Sequence, residues 1–336
     1  MRAVVYTETG PSSVLTLVER DVPEPGPGEV RVRLVRAGVN PTDWKFRAVF
    51  GPAFDEVAPG QDGAGVVDAV GAGVDDLAVG DRVWLLLAQH QRPYGTAVEQ
   101  TVQPRERVHR LPDGASFDLG ASLGVPAVTA HRALTAGDVD RLGPGTLEGR
   151  TVLVAGGAGA VGNAAIQLAV WSGATVVTTI SSDEKARLAR AAGAHHVVNY
   201  REQDVVAAVR EIAPDGVDLV VEVAPAQNFA IDVEVVRDHG TVAFYANDGG
   251  DEASLPVRAA FANNLRLQGL ILYTLTPEQV AAGAEDVTAA VAAGALRVGE
   301  EVGLPLHHHP LEDLAAAHDA VEAGTIGKVL VDVADA

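Results

Sequence analysis

The 336-residue chain contains no cysteine, which excludes a disulfide framework, a thiolate nucleophile and any cysteine-ligated zinc or iron–sulfur site. Lysine is nearly missing as well: Lys45, Lys185 and Lys328 are the only three, and most positive charge is arginine. The 25 Lys+Arg face 45 Asp+Glu, a formal net charge of −20. Such a field repels the phosphates of a nucleic acid or an anionic membrane surface, so neither is an expected partner. No uncharged apolar run is long enough to span a bilayer. The opening MRAVVYTE moves into an alternating apolar pattern rather than a basic stretch followed by an apolar core, which reads as a cytoplasmic chain.

What remains suits a folded protein, with 47% hydrophobic and 21% charged residues and length for about two domains. Up to about Gly120 the chain reads as short strands punctuated by Pro and Gly clusters such as PEPGPGE, Pro23 to Glu29, the rhythm of a compact antiparallel β domain. From Thr151 apolar strands alternate with amphipathic helices: TVLVAG, then Ala160 to Ser172, TVVTTI, a helix around Glu184 to Ala192, HHVVN, a helix around Gln203 to Ile212, VDLVVEVA, TVAFYA and LRLQGLIL. That alternation predicts an α/β domain with a doubly wound parallel sheet covered on both faces. Helices over Pro277 to Ala293 and Leu311 to Ala323 and a closing strand, KVLVDV, follow.

The segment AGGAGAVG, Ala155 to Gly162, places G-x-G-x-x-G on Gly157, Gly159 and Gly162 between a strand and a helix. In that context the first glycine is expected to allow a tight turn, the second to let backbone approach a pyrophosphate and the third to let helix and strand pack closely. Ala160 and Val161 then open the helix whose N-terminal N–H groups receive the phosphates. An NAD enzyme usually carries an acidic residue after the second strand; here Ser181 and Ser182 stand there, followed by Asp183, Glu184 and Lys185. Two hydroxyls and a lysine favour the 2′-phosphate of NADPH.

Several motifs in fixed order carry a resemblance: GVNPTDWKFR (Gly38 to Arg47), PGQDGAGVVDAVGAGV (Pro59 to Val74), VGDRV (Val79 to Val83), GVPAVTAHRAL (Gly124 to Leu134), AGGAGAVG and GTIGKVLV (Gly324 to Val331). The chain resembles the medium-chain dehydrogenase/reductase superfamily and, within it, the zinc-free NADPH:quinone oxidoreductases, the zeta-crystallin-like group. The metal positions of its zinc alcohol dehydrogenases fall on Asn40, Gln61 and about Val125, which cannot form a thiolate–imidazole cage. The resemblance implies a Rossmann domain, residues 123–273, inside a discontinuous β-rich GroES-like catalytic domain, residues 1–122 and 274–336, with the acceptor bound in the cleft between them.

Residue by residue, the resemblance implies Asn40 beside the nicotinamide, Thr129 at its carboxamide, Lys185 and Tyr200 on the 2′-phosphate, and Tyr245, Ala246 and Asn247 where relatives carry an FGN motif. It makes Lys328 another cofactor-side residue. Asp43 and Arg47 read either as lining the substrate cleft or as an ion pair one helical turn apart. Lys45, where several relatives have tyrosine, reads as a carbonyl-polarising group or as an exposed lysine. His307 to His309 reads as a solvated run in a loop rather than a metal site.

The implied activity is zinc-independent hydride transfer from NADPH to a small-molecule acceptor, a quinone first and an enone or enoyl thioester as the alternative. A non-catalytic NADPH-binding structural or regulatory role, crystallin-like, is the reading of another class. The apolar run Arg266 to Leu275 would be the sixth strand and an edge of the Rossmann sheet, which predicts a homodimer paired through it.

Overall fold

The computed structural model describes residues 1–335. Fifteen strands run in chain order: β1 (Arg2–Val5), β2 (Thr16–Glu19), β3 (Glu29–Val39), β4 (Asp62–Val70), β5 (Arg82–Leu85), β6 (Gln100–Pro104), β7 (Val108–Arg110), β8 (Thr151–Ala155), β9 (Thr175–Ile180), β10 (His196–Asn199), β11 (Val217–Glu222), β12 (Val236–Phe244), β13 (Arg266–Gly269), β14 (Leu306–Pro310) and β15 (Lys328–Asp332). They divide between two compact units. One is Met1–Val125 with the chain from Pro305 onwards; the other is Pro126–Leu304.

The first unit is built on a mixed sheet ordered β14-β15-β3-β4-β5-β7, with β6 also pairing β3. β3 alternates buried Val30, Val32 and Leu34 against β4, β5 and β15, and the C-terminal helix Leu314–Glu322 covers this core with Leu314 and Ala317. Register fixes the site. Gly38 pairs with Asp62, and Val39 with Val329, so the residues after β3, at the start of β4 and at the start of β15 meet at one end of the sheet.

The second unit holds a six-stranded parallel sheet ordered β10-β9-β8-β11-β12-β13. Its strands are near-continuous Val and Leu runs because both faces are covered: Leu153, Val177, Val220 and Val242 are all buried. The order reverses between β8 and β11, and in such sheets ligands bind outside the carboxyl ends of the strands at that switch.

Three expectations change. The division at the second crossing falls at 305 rather than 274, because the helix Pro277–Ala292 belongs with the Rossmann unit: its Asp286 bonds His131 and Arg141 there. His307 to His309 lie in a strand rather than a loop, since β14 pairs in parallel with β15; His307 and His308 are held by the Ile326 carbonyl and Asp332. The edge strand β13 ends at Gly269, and Leu272–Thr274 forms a single 3₁₀ turn.

Among the described residues no helix is long and apolar enough to cross a membrane.

Candidate active site

Within the Rossmann unit, β8 delivers the chain into a turn at Gly156, whose φ of +69° is the left-handed conformation glycine favours. The tight turn therefore rests on Gly156, not on Gly157. Gly157 is glycine for another reason, because a Cβ there would lie 2.2 Å from the Thr178 hydroxyl. At Gly162 a Cβ would stand 2.4 Å from the Gly156 carbonyl, so helix and turn touch backbone to backbone as expected. Gly159 differs. Its Cβ would meet only Gly156, at 3.5 Å, and it precedes the helix Ala160–Trp171 with no side chain capping the end. The first N–H groups, at Ala160 and Val161, thus form an open end suited to an anion.

Next to this turn, Ser181 and Ser182 follow β9 and Tyr200 follows β10. Parallel register, Ala155 to Thr179 and Ile180 to Asn199, lines these residues up along one edge of the sheet. Ser182 caps the helix Asp183–Ala191 by accepting from Lys185 N at 3.3 Å, which sets Lys185 in the first turn. Tyr200 is 52% exposed, so its ring is presented to solvent. Tyr245, Ala246 and Asn247 follow β12, and burial together with Glu222 pushes the Tyr245 hydroxyl upward. Asn247 donates to Asp251 at 2.5 Å. Thr129 is buried on the helix Gly124–Leu134.

Glu222 ends β11 and is buried beside Asp232. Burial pushes both carboxyls up, and the neighbouring Glu222 pushes Asp232 further.

The first unit gathers a second constellation. Asn40 sits 2% exposed at the end of β3. Its Nδ2 donates to Asp62 Oδ2 at 2.7 Å, and its Oδ1 accepts from Lys328 Nζ at 2.7 Å. Lys328 also donates to the Val39 carbonyl at 3.2 Å and lies 3.5 Å from Asp62. Asp62 Oδ1 accepts from Val125 N at 2.7 Å. Burial pushes the Lys328 ammonium down and the Asp62 carboxyl up, and each partially restores the other.

Asp43 accepts from Asn40 N at 2.7 Å, and burial, with Asp62 nearby, pushes it up to about 7. It is not paired with Arg47, whose guanidinium donates to the Gly10 carbonyl at 2.6 Å and faces Glu322 at 3.6 Å. A short helix, Pro41–Lys45, running into the π-turn Phe46–Phe50 carries Arg47 there. Lys45 is half-buried with its ammonium 5.9 Å from the Trp44 ring centre.

Lys328, which the resemblance implies on the cofactor side, bonds Asn40, the Val39 carbonyl and Asp62, and Asp62 was not among the residues the sequence pointed to. The signal for Asp62 was available: an acidic residue inside PGQDGAGVV, where apolar strand residues surround it. The position of Gln61 is also settled by side chains, since its Nε2 donates to Gln89 at 3.0 Å. Among the described residues no three His, Cys, Asp or Glu side chains gather as metal ligands.

Residues 26–113 match the family described as the alcohol dehydrogenase GroES-like domain, and residues 160–292 match the zinc-binding dehydrogenase family. A quinone oxidoreductase of Lama guanicoe is 30% identical over 98% of this chain and 97% of its own length. This chain belongs to the quinone oxidoreductase group of the medium-chain dehydrogenases/reductases. A 2-haloacrylate reductase of a Burkholderia species is also 30% identical, over 98% of both chains. The solved structure of a mycobacterial protein complexed with NADPH, 30% identical, superimposes with a TM-score of 0.83 over 99% of this chain and 100% of that one.

Proposed function

We propose that this oxidoreductase reduces a quinone with NADPH, without zinc. The observation that carries the reading is the register of the Rossmann unit: an uncapped helix end over an open Gly159, with Ser181, Ser182, Lys185 and Tyr200 along the same edge. These residues suit a pyrophosphate and a ribose 2′-phosphate, and a structural neighbour at 30% identity carries NADPH. When bound, NADPH supplies the hydride. The chain's own part is to hold phosphates on backbone N–H groups, to grip the 2′-phosphate with Lys185, and to offer donors to an acceptor that already takes electrons readily. Asn40 is the proposed donor, with Asp43 and Lys45 beside it in the first unit, and Thr129, Tyr245, Ala246 and Asn247 are the proposed cofactor-side residues of the Rossmann unit.

The likeness to a 2-haloacrylate reductase favours, as a second reading, reduction of an electron-poor carbon–carbon double bond. Steady-state NADPH oxidation with a panel of quinones, enones, haloacrylates and enoyl thioesters decides between them, and prolonged chelation should leave turnover intact. A chain that binds NADPH but turns over none of the panel would be the non-catalytic protein.

We also propose a homodimer paired through the exposed edge of β13 and the residues just after it, where Leu267 and Ile271 are 37% and 53% exposed. Light scattering tests it: twice 34.7 kDa, falling towards the monomer in Leu270→Lys, is the expected result, and 34.7 kDa for the wild type overturns it.

A further inference from the structure

A side-chain amide has two donor hydrogens on one atom and two lone pairs on the other, and its two ends can exchange by a half-turn. At Asn40 that half-turn is forbidden. In the observed orientation the nitrogen faces a carboxylate, Asp62, and the oxygen faces an ammonium, Lys328, both at 2.7 Å. Turned over, Asn40 would set oxygen against carboxylate and nitrogen against ammonium, two repulsive contacts in a buried site where Coulomb terms are strengthened.

The two charges are themselves anchored. Asp62 has its other oxygen on Val125 N, and Lys328 has its second donor on the Val39 carbonyl. Gly38 is packed so closely that a Cβ there would lie 3.0 Å from Lys328 Cε and 2.0 Å from the Ala121 carbonyl. The lysine stem therefore has no room to swing. Its positive charge sits inside the unit to serve a neutral amide as well as an ion pair at 3.5 Å.

From this geometry we infer that Lys328 and Asp62 are positioning residues: they lock Asn40 so that its nitrogen, with a second N–H beyond the one given to Asp62, cannot exchange places with its carbonyl oxygen. Resting on the reductase reading, this gives the lock a purpose. An acceptor carbonyl gathers negative charge as hydride arrives, and a pre-oriented N–H stabilises that charge without reorganising. With a freely turning amide, part of the population would point oxygen at the oxygen it must stabilise. The inference takes Lys328 away from direct contact with the cofactor.

The test uses the intact protein in two parts. The chain has seven asparagines, so selective ¹⁵N-asparagine labelling gives a short list of side-chain NH₂ pairs, with Asn40 assigned by its loss in Asn40→Ser. In the wild type the Asn40 protons should be well separated and slow to exchange; in Lys328→Met and in Asp62→Asn exchange should quicken by tenfold or more. Asp62→Asn is the milder change because the shape is kept, while its single oxygen cannot serve both Asn40 and Val125.

The second part is kinetic. Both variants should lose about 10²- to 10³-fold in kcat while the Kd for NADPH, read by fluorescence, stays within about twofold, and Lys328→Arg should recover most of the rate. Variants that fold with a wild-type kcat, or Asn40 signals unchanged in Lys328→Met, overturn the lock. If Lys328→Met fails to fold, the amide spectrum of Asp62→Asn decides. A wild type inert towards every acceptor but with slowly exchanging Asn40 protons would sink the reductase reading and support the lock.

Discussion

The two units solve the problem of holding a polar group in opposite ways. The cradle of the Rossmann unit is made of backbone: an open helix end, a left-handed Gly156 and a Gly162 in contact with the turn. The constellation of the first unit is made of side chains, with Asn40, Asp62 and Lys328 joined across as many as 288 residues of sequence. A backbone site tolerates any side chain that leaves room. A buried side-chain site must satisfy every polar atom, and removing one partner leaves a desolvated charge. The first therefore repeats as a short pattern, while the second is tied to one set of neighbours.

The sharpest way to expose that difference is pH. Asp43 is buried with its carboxyl raised from 3.8 to about 7. A raised carboxyl stabilises the folded state below pH 3.8, and that stability is lost as pH rises through 7, by about 4 kcal/mol in full at 1.36 kcal/mol per unit. Asp43→Asn should remove this loss. Its stability advantage over the wild type, from urea unfolding, should grow between pH 5 and pH 8; a constant difference would mean that Asp43 ionises freely.

In the backbone site the contrast lies between two glycines. Gly162→Ala drives a Cβ into the Gly156 carbonyl and should cost about 3 kcal/mol in the protein without cofactor. Gly159→Ala should leave stability within about 1 kcal/mol yet weaken NADPH about tenfold, since its Cβ points where phosphate must approach. Equal melting temperatures for the two variants would show that the turn yields to a methyl group at Gly162.

Lys185→Ala should cost about 1.5 to 3 kcal/mol of NADPH binding, a ten- to hundredfold rise in KM, with NADH almost unchanged. An equal loss for both cofactors removes the lysine from the 2′-phosphate. Outside both sites, Asp286 serves as a reference. Burial alone would raise it, but His131, Arg141 and Leu142 N–H hold it down to about 2. That depressed carboxyl contributes about 2 kcal/mol above pH 4, lost as pH falls towards 2. Asp286→Asn should unfold with less dependence on acid than the wild type.

Much of this was legible because its causes are local. Apolar runs such as TVLVA and VDLVVE form their strands within a residue or two of where periodicity puts them, and the spacing of Gly157, Gly159 and Gly162 announces the turn. Gly156 escaped notice because handedness is not written in spacing. The His307 to His309 strand was invisible for a different reason: three consecutive histidines have no strand-like alternation, and only pairing with β15 makes them one. The bonds of Lys328 could not be read because its partners Asn40 and Asp62 are remote in sequence, and no local pattern says that a lysine opening a strand is buried.

β15 carries a consequence of another kind. It lies between β14 and β3, inside its sheet, yet it follows Pro126–Leu304 in the chain. On the ribosome the whole of Pro126–Leu304 emerges first and can close its own parallel sheet, while β3 waits with one edge unpaired and Asn40 without its lysine. The first unit is thus closed only after the second has been made. A chain cut just before Lys328 would lose a central strand and the charge that orients Asn40 together, leaving a finished nucleotide fold beside an unfinished sheet.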